Sequence, residues 1–212
     1  MTISTEDLLN SIMESFDRID YIKTADIPNI DLYMDQVTTF MDHRLKSTTR
    51  QETDKILTKT MINNYAKNDL LPPPVKKKYS KEHLLVLIFI YYFKGFLSIS
   101  DIQELLQPIT DRFFGKEDEL TLSDIYEEVF QMEGKEIQTL KKDVARHFEQ
   151  AQKSFADADE ESRDFLQQFY FICMLSFDVY VKKLLIEKLI DEMRSSRQST
   201  EESDKEEKKN KK

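Results

Sequence analysis

The 212-residue sequence has only three glycines, five prolines and one cysteine. So few residues that interrupt regular structure, and the lack of a strongly alternating apolar and polar run, favour long helices over sheet. The single Cys173 excludes a disulfide within one chain, indicates a reducing compartment, and is expected to be a small buried hydrophobic residue. The longest uninterrupted apolar run, residues 84–93, is too short to span a bilayer, and the N-terminus has no signal-peptide pattern. We therefore expect a soluble cytoplasmic protein.

The motifs of the common enzyme classes are missing as well. Three isolated glycines form neither a dinucleotide-binding GxGxxG nor a Walker loop. The three histidines, His43, His83 and His147, are scattered without partners at metal-ligand spacing, and one cysteine cannot build the usual sulfur-rich zinc site. We predict that His43 and His147 are solvated on polar helix faces. The sequence thus indicates a protein that is not an enzyme and uses no metal or cofactor.

Positive charge is concentrated in one segment of an otherwise acidic chain. Residues 55–83 contain seven lysines and two acids, a balance of +5, although the whole chain carries −9. An acidic protein with one cationic segment is typical of a directed electrostatic contact, most often with nucleic acid. The alternative, that these lysines are a solvated surface, stays open from the count alone.

Residues that start and stop helices divide the first third of the chain. Residues 5–22 and 31–44 have the apolar spacing of amphipathic helices, and Thr5 is the predicted cap of the first. Thr58 is predicted to cap a further helix, which Pro72 stops because a residue that precedes proline is pushed out of the helical region.

The middle of the chain has a short basic segment followed by two capped helices. The segment VKKKY, residues 75–79, is predicted to pair as a small β-wing, and we call it the wing. Ser80 is the predicted cap of a buried helix that Gly95 ends in a left-handed conformation. Ser98 then opens a helix that Pro108 ends.

The last part of the chain is predicted to hold two long helical stretches and a tail. Thr121 opens the first stretch, which Gly134 breaks or bends, and residues 162–193 form the second. Residues 195–212 have mixed charge and no apolar side chain, so we expect them to be disordered.

The residues of 57–106 follow a recognisable order: a polar helix, a leucine pair before a proline, a basic wing with a tyrosine, and a helix introduced by a serine. The residues in that order are Ile62, Tyr65, Leu70, Leu71, Pro72, Lys78, Tyr79, Ser80, Leu84, Phe96, Ser98, Ile99 and Ile102. The segment thereby resembles the DNA-binding domain of MerR-type transcriptional regulators. It departs from that family at Asn63, at Asp69, where the family has glycine, and in a longer turn between the first two helices.

Two segments, IPNIDLYMDQVTTFMD and LTKTMINNYAKNDLLPPPVKKKYSKEHL, are also similar to an uncharacterised bacterial family of low-GC Gram-positives that has a domain-of-unknown-function label. The similarity implies a MerR-like fold and a regulatory role. We accordingly predict an all-α fold with a small β-wing, a MerR-like winged helix-turn-helix plus N- and C-terminal helices. The predicted units are an N-terminal helix at 1–30, the winged helix-turn-helix domain at 31–116, a C-terminal helical region for dimerisation or effector binding at 117–194, and the disordered tail at 195–212.

The predicted function is that of a DNA-binding transcriptional regulator that reads an operator through a recognition helix and the basic wing. A helix in the major groove presents hydrogen-bond donors and short amides on its outward face. Tyr65 can either pack inward or offer its hydroxyl to a phosphate. The predicted DNA contacts are Lys59, Thr60, Asn63, Asn64, Tyr65, Lys67, Lys76, Lys77, Lys78 and Tyr79.

A homodimer held by the last two helices is predicted too, because a small helical domain seldom buries so many apolar residues internally: Phe165, Phe169, Phe171, Ile172, Leu175, Phe177, Leu184 and Leu185. The alternative is that they form the core of a monomer. For the function, two alternatives stay open. One is a protein-interaction module that docks a partner through its three prolines. The other is a sensor whose C-terminal helices enclose an apolar pocket for an unknown small-molecule or protein effector.

Overall fold

The computed structural model describes residues 5–16, 21–51, 53–116, 118–131 and 133–210. Within these ranges the chain is mostly helical, with one small antiparallel sheet of two strands, which confirms the predicted all-α fold with a small β-element. In chain order the elements are α1 (Thr5–Phe16), β1 (Leu32–Tyr33), α2 (Met34–Leu45), α3 (Lys59–Lys67), β2 (Lys78–Tyr79), α4 (Lys81–Phe93), α5 (Ile99–Phe113), α6 (Leu122–Gln131), α7 (Glu133–Lys153) and α8 (Glu160–Asn210). The predicted helix at 5–22 is confirmed from Thr5 to Phe16, although Thr5, its predicted cap, is already helical. Residues 17–20 lie outside the described part, and the prediction is wrong at residues 21–22, which are not helical.

Helix α4 forms the centre of the core. Every residue from His83 to Ile90 is buried, as expected for a helix that is apolar on all sides. The surrounding helices turn their apolar stripes towards it. Their buried residues are Val37, Met41, Leu45, Ile62, Tyr65, Ile102, Leu106, Leu122 and Tyr126.

The core extends beyond the predicted unit of 31–116 on both sides. Ile22 and Ile27, in the segment before β1, are buried in the same cluster as Tyr126 of α6. The Tyr126 hydroxyl donates a hydrogen bond of 2.7 Å to the Ile22 carbonyl, and the Thr24 hydroxyl donates to the Glu127 carboxylate. The segment before β1 is therefore fastened to α6 across about a hundred residues of sequence.

Helix α3 begins as predicted and ends earlier than predicted. The Thr58 hydroxyl accepts a hydrogen bond of 3.2 Å from the Met61 amide, which confirms the cap. The helix ends at Lys67, before Pro72, because Asp69 turns the chain in a left-handed conformation with φ +55°. Asp69 thus has the conformation that glycine favours, and aspartate is among the few other residues that tolerate it. The Leu70 and Leu71 amides then donate to the Tyr65 carbonyl and close the helix end.

The wing contains a tight turn. The Val75 and Lys78 backbones exchange hydrogen bonds of 3.1 and 3.0 Å, and φ is +51° at Lys76 and +64° at Lys77. Two positive φ values between paired residues are the geometry of a type I′ turn. The second arm of the turn, β2, pairs with β1, so that Leu32 lies opposite Tyr79. The prediction of a helix from residue 31 is therefore wrong at its start, because residues 32–33 are extended and serve as the partner strand.

Two predicted helix ends are also wrong. Gly95 has no positive φ, because the chain leaves α4 through a right-handed turn in which the Phe96 and Leu97 amides both donate to the Phe93 carbonyl. Pro108 does not end α5, which begins at its predicted cap Ser98 and continues through the proline to Phe113.

Pro108 is tolerated because another helix replaces the hydrogen bond that it cannot make. Any other residue at position 108 would donate its backbone amide hydrogen to the Glu104 carbonyl. Proline has no amide hydrogen, so it cannot make this hydrogen bond. The Arg197 guanidinium of α8 donates to that carbonyl at 2.8 Å and also contacts the Glu104 carboxylate at 2.8 Å. The freed carbonyl is thus satisfied from outside its own helix.

The C-terminal part differs from the prediction at its end. Thr121 exchanges hydrogen bonds with Asp124 and opens α6 as predicted, and Gly134 lies in the first turn of the separate helix α7. Residues 195–210, for which the sequence predicts a disordered tail, continue α8 in the structure, and residues 211–212 lie outside the described part. The segment lacks glycine and proline and is rich in glutamate and lysine, so it extends an anchored helix at little cost.

Candidate nucleic-acid interface

Helix α3 separates its residues into a buried and an exposed face. Ile62 and Tyr65 point into the core, and the predicted contact residues on the other side of the helix are exposed. The Thr58 cap and the left-handed Asp69 fix the two ends of this short helix, so the exposed face has a defined length. The exposed predicted residues are Lys59, Thr60, Asn63, Asn64 and Lys67.

The wing exposes Lys76 and Lys77 at the tip of its turn. Lys78 lies half-buried at the base, where its Nζ is 5.3 Å from the centre of the Tyr33 ring. A lysine over an aromatic face keeps its charge while its position is restricted. The tight turn therefore presents two exposed cations, Lys76 and Lys77, and one cation, Lys78, that lies against an aromatic ring.

The segment 33–35 joins the helix to the wing, and sequence reasoning missed it. Tyr33 is 55% exposed, and its ring lies against the Nζ of Lys78. Asp35, in the first turn of α2, forms an ion pair with Lys59. The two contacts start only two residues apart in sequence, so the N-terminus of α3 and the base of the wing meet at the same short segment. No sequence pattern within residues 33–35 predicts that the helix and the wing meet there, because the meeting depends on the pairing of β1 with β2.

The structure buries both tyrosines that were predicted as DNA contacts, and for Tyr65 this is the inward packing that the sequence left open. Tyr65 is 8% exposed and Tyr79 is 3% exposed, because both rings pack into the core around α4. Burial raises the pKa of both phenols above their ordinary value, so neither phenol is primed to ionise. Both residues support the interface from beneath and do not form its surface.

His83 fastens the wing to the start of α4. Its Nδ1 accepts a hydrogen bond of 2.9 Å from the Ser80 amide, and its Nε2 lies 3.4 Å from the Pro73 carbonyl. The Tyr79 ring packs edge-on against the imidazole at 5.4 Å. Burial lowers the pKa of His83, which favours the neutral ring that this arrangement needs. One side chain therefore links α4, the wing and the proline segment.

The interface can bind phosphate and present amides, but it is not uniformly basic. Five lysines of α3 and the wing, at positions 59, 67, 76, 77 and 78, belong to it. Asp35 and Asp69 lie beside them and are exposed. Lysine side chains contact phosphates as point charges, and asparagine side chains match the edge of adenine in the major groove. These side chains are of the kinds that can contact a polyanion and present amides to it.

Other predicted features of single residues were wrong. His147 is 8% exposed, because it lies between α7 and α8, with its Nδ1 3.4 Å from an Asp178 carboxylate oxygen. Cys173 is exposed and does not pack in the core as a small hydrophobic residue. In the described residues, no group of three or more potential ligands is arranged to hold a metal ion. None of the described helices has the length and apolar character to cross a membrane.

Comparison with known proteins gives one result. A family model described as Domain of unknown function (DUF1836) matches residues 22–129, about half of the chain. No curated protein and no solved structure shows significant similarity. The matched range coincides with the part of the chain whose buried residues run from Ile22 to Tyr126 around α4, and it includes α3 and the wing. The chain therefore belongs to the family described as Domain of unknown function (DUF1836).

Proposed function

We propose that this protein is a DNA-binding transcriptional regulator that reads duplex DNA with the exposed face of α3 and grips the backbone with the wing. The observation that carries the proposal is the junction at residues 33–35. It holds Lys59 of α3 and Lys78 of the wing, so that a short polar helix and a basic turn form one surface. The fold proposed for this surface is the MerR-like winged helix-turn-helix that the sequence resembles.

The dimensions and chemistry of DNA support this assignment. The major groove is about 12 Å wide and admits one helix. Asn63 and Asn64, both exposed, can each pair with an adenine, and Thr60 is short enough to approach a base edge. Lys59 and Lys67 then reach the phosphates on either side. On binding, Lys59 exchanges its ion pair with Asp35 for a phosphate.

A protein-interaction module on the same fold is the second candidate. Pro73 is exposed and its carbonyl lies beside the His83 imidazole, so the proline segment is held in one conformation. A fixed proline segment favours contact with a partner, because little conformational entropy is lost on binding. This candidate predicts no affinity for duplex DNA beyond that of other acidic proteins.

Duplex binding at several salt concentrations separates the two candidates. If the five lysines of α3 and the wing neutralise about five phosphates, the slope of log affinity against log salt is about −4 to −5, from roughly −0.9 per phosphate. Fluorescence anisotropy with a labelled random-sequence duplex measures this slope. A slope near zero, or no binding at low salt, contradicts the proposed function and favours the interaction module.

A further inference from the structure

The turn between α2 and α3 forms an open pocket with the end of α4. The cavity volume is about 370 Å³, and the walls include Arg50 and Lys55 of the turn and Tyr91 of α4. The Thr48 hydroxyl shares a hydrogen bond with the Tyr91 hydroxyl, and Ile56, which follows Lys55, is buried in the core. The turn is therefore fastened on both sides of the pocket.

Lys94 lies half-buried in the wall of this pocket, at the end of α4. Its ammonium group donates a hydrogen bond to the Ile56 carbonyl, and its Nζ is 4.9 Å from the centre of the Tyr91 ring. In the described part of the chain no carboxylate forms an ion pair with it, and burial lowers the pKa of Lys94 below its ordinary value. An ammonium group has three hydrogens to donate, so this one can still bind an anion.

Arg50 and Lys55 add two exposed cations to the same pocket, and neither forms an ion pair with a described residue. The carboxylate in the wall, that of Asp54, accepts a hydrogen bond of 3.0 Å from the Gln51 amide and so serves the turn itself. Three cations and one acid give the wall a charge of +2, although the chain carries −9. The end of a helix favours a cation, which accounts for Lys94 but not for the two cations of the turn.

The size and the walls of the pocket indicate the class of ligand. An arginine and two lysines match the oxygens of a phosphate, which arginine binds with two parallel hydrogen bonds and lysine as a point charge. A volume of about 370 Å³ lies in the range that holds small organic molecules, about 300–1,000 Å³, and exceeds what a bare ion needs. The Tyr91 and Tyr92 rings, 5.7 Å apart, offer apolar surface to a carbon skeleton.

The position of the pocket favours a ligand separate from DNA. Helix α4 begins at Lys81, directly after the wing, and its 13 residues end at Phe93. At about 1.5 Å for each residue the helix is about 20 Å long. The pocket therefore lies at the opposite end of α4 from the base of the wing, and a duplex held by the wing is not thereby brought to it.

We propose that this pocket binds a small organic phosphate. Arg50, Lys55 and Lys94 hold the phosphate oxygens, and the carbon skeleton lies against Tyr91 and Tyr92. A phosphate monoester carries a charge of about −2 above its second pKa of about 6, which balances the charge of the wall. The site is separate from the α3–wing surface and stands whether or not the protein binds DNA.

The glycine signals of the full-length protein test the site, because the chain has only three glycines. Gly95 lines the pocket, and Gly115 and Gly134 lie outside it. Protein labelled with ¹⁵N at glycine is titrated with phenyl phosphate at about pH 7.5, where this probe is a dianion. We expect a saturable shift of the Gly95 amide signal and none of the other two. The variant G95A assigns the signal, since a methyl group there meets no atom closer than the Tyr92 carbonyl oxygen at 3.9 Å.

Two charge variants test the role of the cations. R50Q/K55Q is expected to bind phenyl phosphate about tenfold more weakly or less, because it removes two charged donors. Both side chains are exposed, so the Gly115 and Gly134 signals are expected to stay in place and show that the variant is folded. The matched control K141Q/K142Q removes two lysines of α7, outside the pocket, and is expected to bind as the wild type does.

Three further probes distinguish the proposal from its alternatives. Phenol, the neutral analogue, is expected to leave the Gly95 signal in place, and inorganic phosphate is expected to bind more weakly than phenyl phosphate. An equal response to phenol, an equal affinity for inorganic phosphate, or no shift at about 10 mM phenyl phosphate would overturn the proposal. A short duplex that shifts Gly95 where phenyl phosphate does not would assign the three cations to DNA instead. Binding of phenyl phosphate by a protein that shows no DNA affinity would support the site while contradicting the proposed function.

Discussion

At the start of α4, the His83 imidazole fills the place that glutamate or glutamine occupies in a capping box. Its Nδ1 accepts the Ser80 amide hydrogen, so the ring is neutral and carries its proton on Nε2, close to the Pro73 carbonyl. A second proton on Nδ1 would place two donors face to face. The base of the wing therefore depends on the protonation state of one buried ring.

Acid is expected to weaken the fold through His83. Burial lowers its folded pKa below the ordinary value of 6.5, so the unfolded chain binds the proton first as the pH falls. The stability that the neutral ring contributes is complete above about pH 6.5 and is lost as the pH falls through the folded pKa. Urea unfolding at about pH 7.5 and about pH 5 measures this loss. In H83Q, which keeps an acceptor at the same position, the loss is expected to be smaller; an unchanged pH dependence would assign it to another group.

At the scale of single elements, α5 shows how a helix continues through a proline. The Ser98 hydroxyl caps its first turn, and hydrogen bonds from Ser98 and from Arg194 hold the pKa of Asp101 below its ordinary value. One turn further on, Arg197 satisfies the Glu104 carbonyl that Pro108 leaves free. Both arginines belong to α8, so α5 depends on the segment that the sequence assigned in part to a disordered tail.

A double-mutant cycle tests this account of Pro108. R197A is expected to destabilise the protein by about 1–3 kcal/mol, because it removes a charge-assisted hydrogen bond to the carbonyl that Pro108 leaves without its helical donor. P108A restores the backbone amide to that carbonyl, so R197A should cost less in the P108A background, by on the order of 1 kcal/mol. The ion pair with the Glu104 carboxylate is lost equally in both backgrounds and cancels. Equal costs in the two backgrounds would show that Arg197 acts only through that ion pair.

The proposed roles of α3 and the wing differ and can be separated by mutation. K76A/K77A/K78A removes positive charge but none of the side-chain amides that would read bases. It is therefore expected to weaken binding to all DNA sequences and to reduce the slope of log affinity against log salt by about two to three, roughly one per phosphate contact. N63A/N64A is expected to cost about 1–3 kcal/mol per lost base pairing on the preferred site and to leave the salt slope unchanged. Anisotropy on a duplex selected from a random pool and on an unrelated duplex measures both effects.

The matched control is K141A/K142A on α7, which removes two lysines away from the proposed interface. It is expected to change neither the affinity nor the slope. If the wing and asparagine variants lower specific and non-specific binding by the same factor, α3 does not read bases through Asn63 and Asn64.

At the scale of the whole molecule, α8 connects two regions. Its first half exposes the apolar residues for which the sequence analysis predicts a homodimer, and its second half docks on α5 through the buried Ile190 and the two arginines. Because the helix is continuous between these regions, the predicted homodimer would set the separation of two copies of the α3–wing surface. A partly palindromic operator, with one half-site for each copy, is the expected target of such an arrangement.

The sequence by itself determined the features that depend on neighbours within about four residues. The caps at Thr58, Ser98 and Thr121, the burial of α4 and the turn in the wing all follow from local patterns, because the atoms that form them are close in the chain. The exposed polar face of α3 was predictable for the same reason, since helical spacing separates Ile62 from Asn63.

Only the tertiary structure decided the features that rest on distant partners. The strand that pairs with the wing lies more than forty residues before it, and the donor that lets α5 pass Pro108 lies on α8. The burial of Tyr79 and His147 and the exposure of Cys173 likewise depend on which side of each helix or strand another element covers. Local patterns describe what a segment can form. They do not state which segment lies beside it, because that choice is made by packing between residues far apart in sequence.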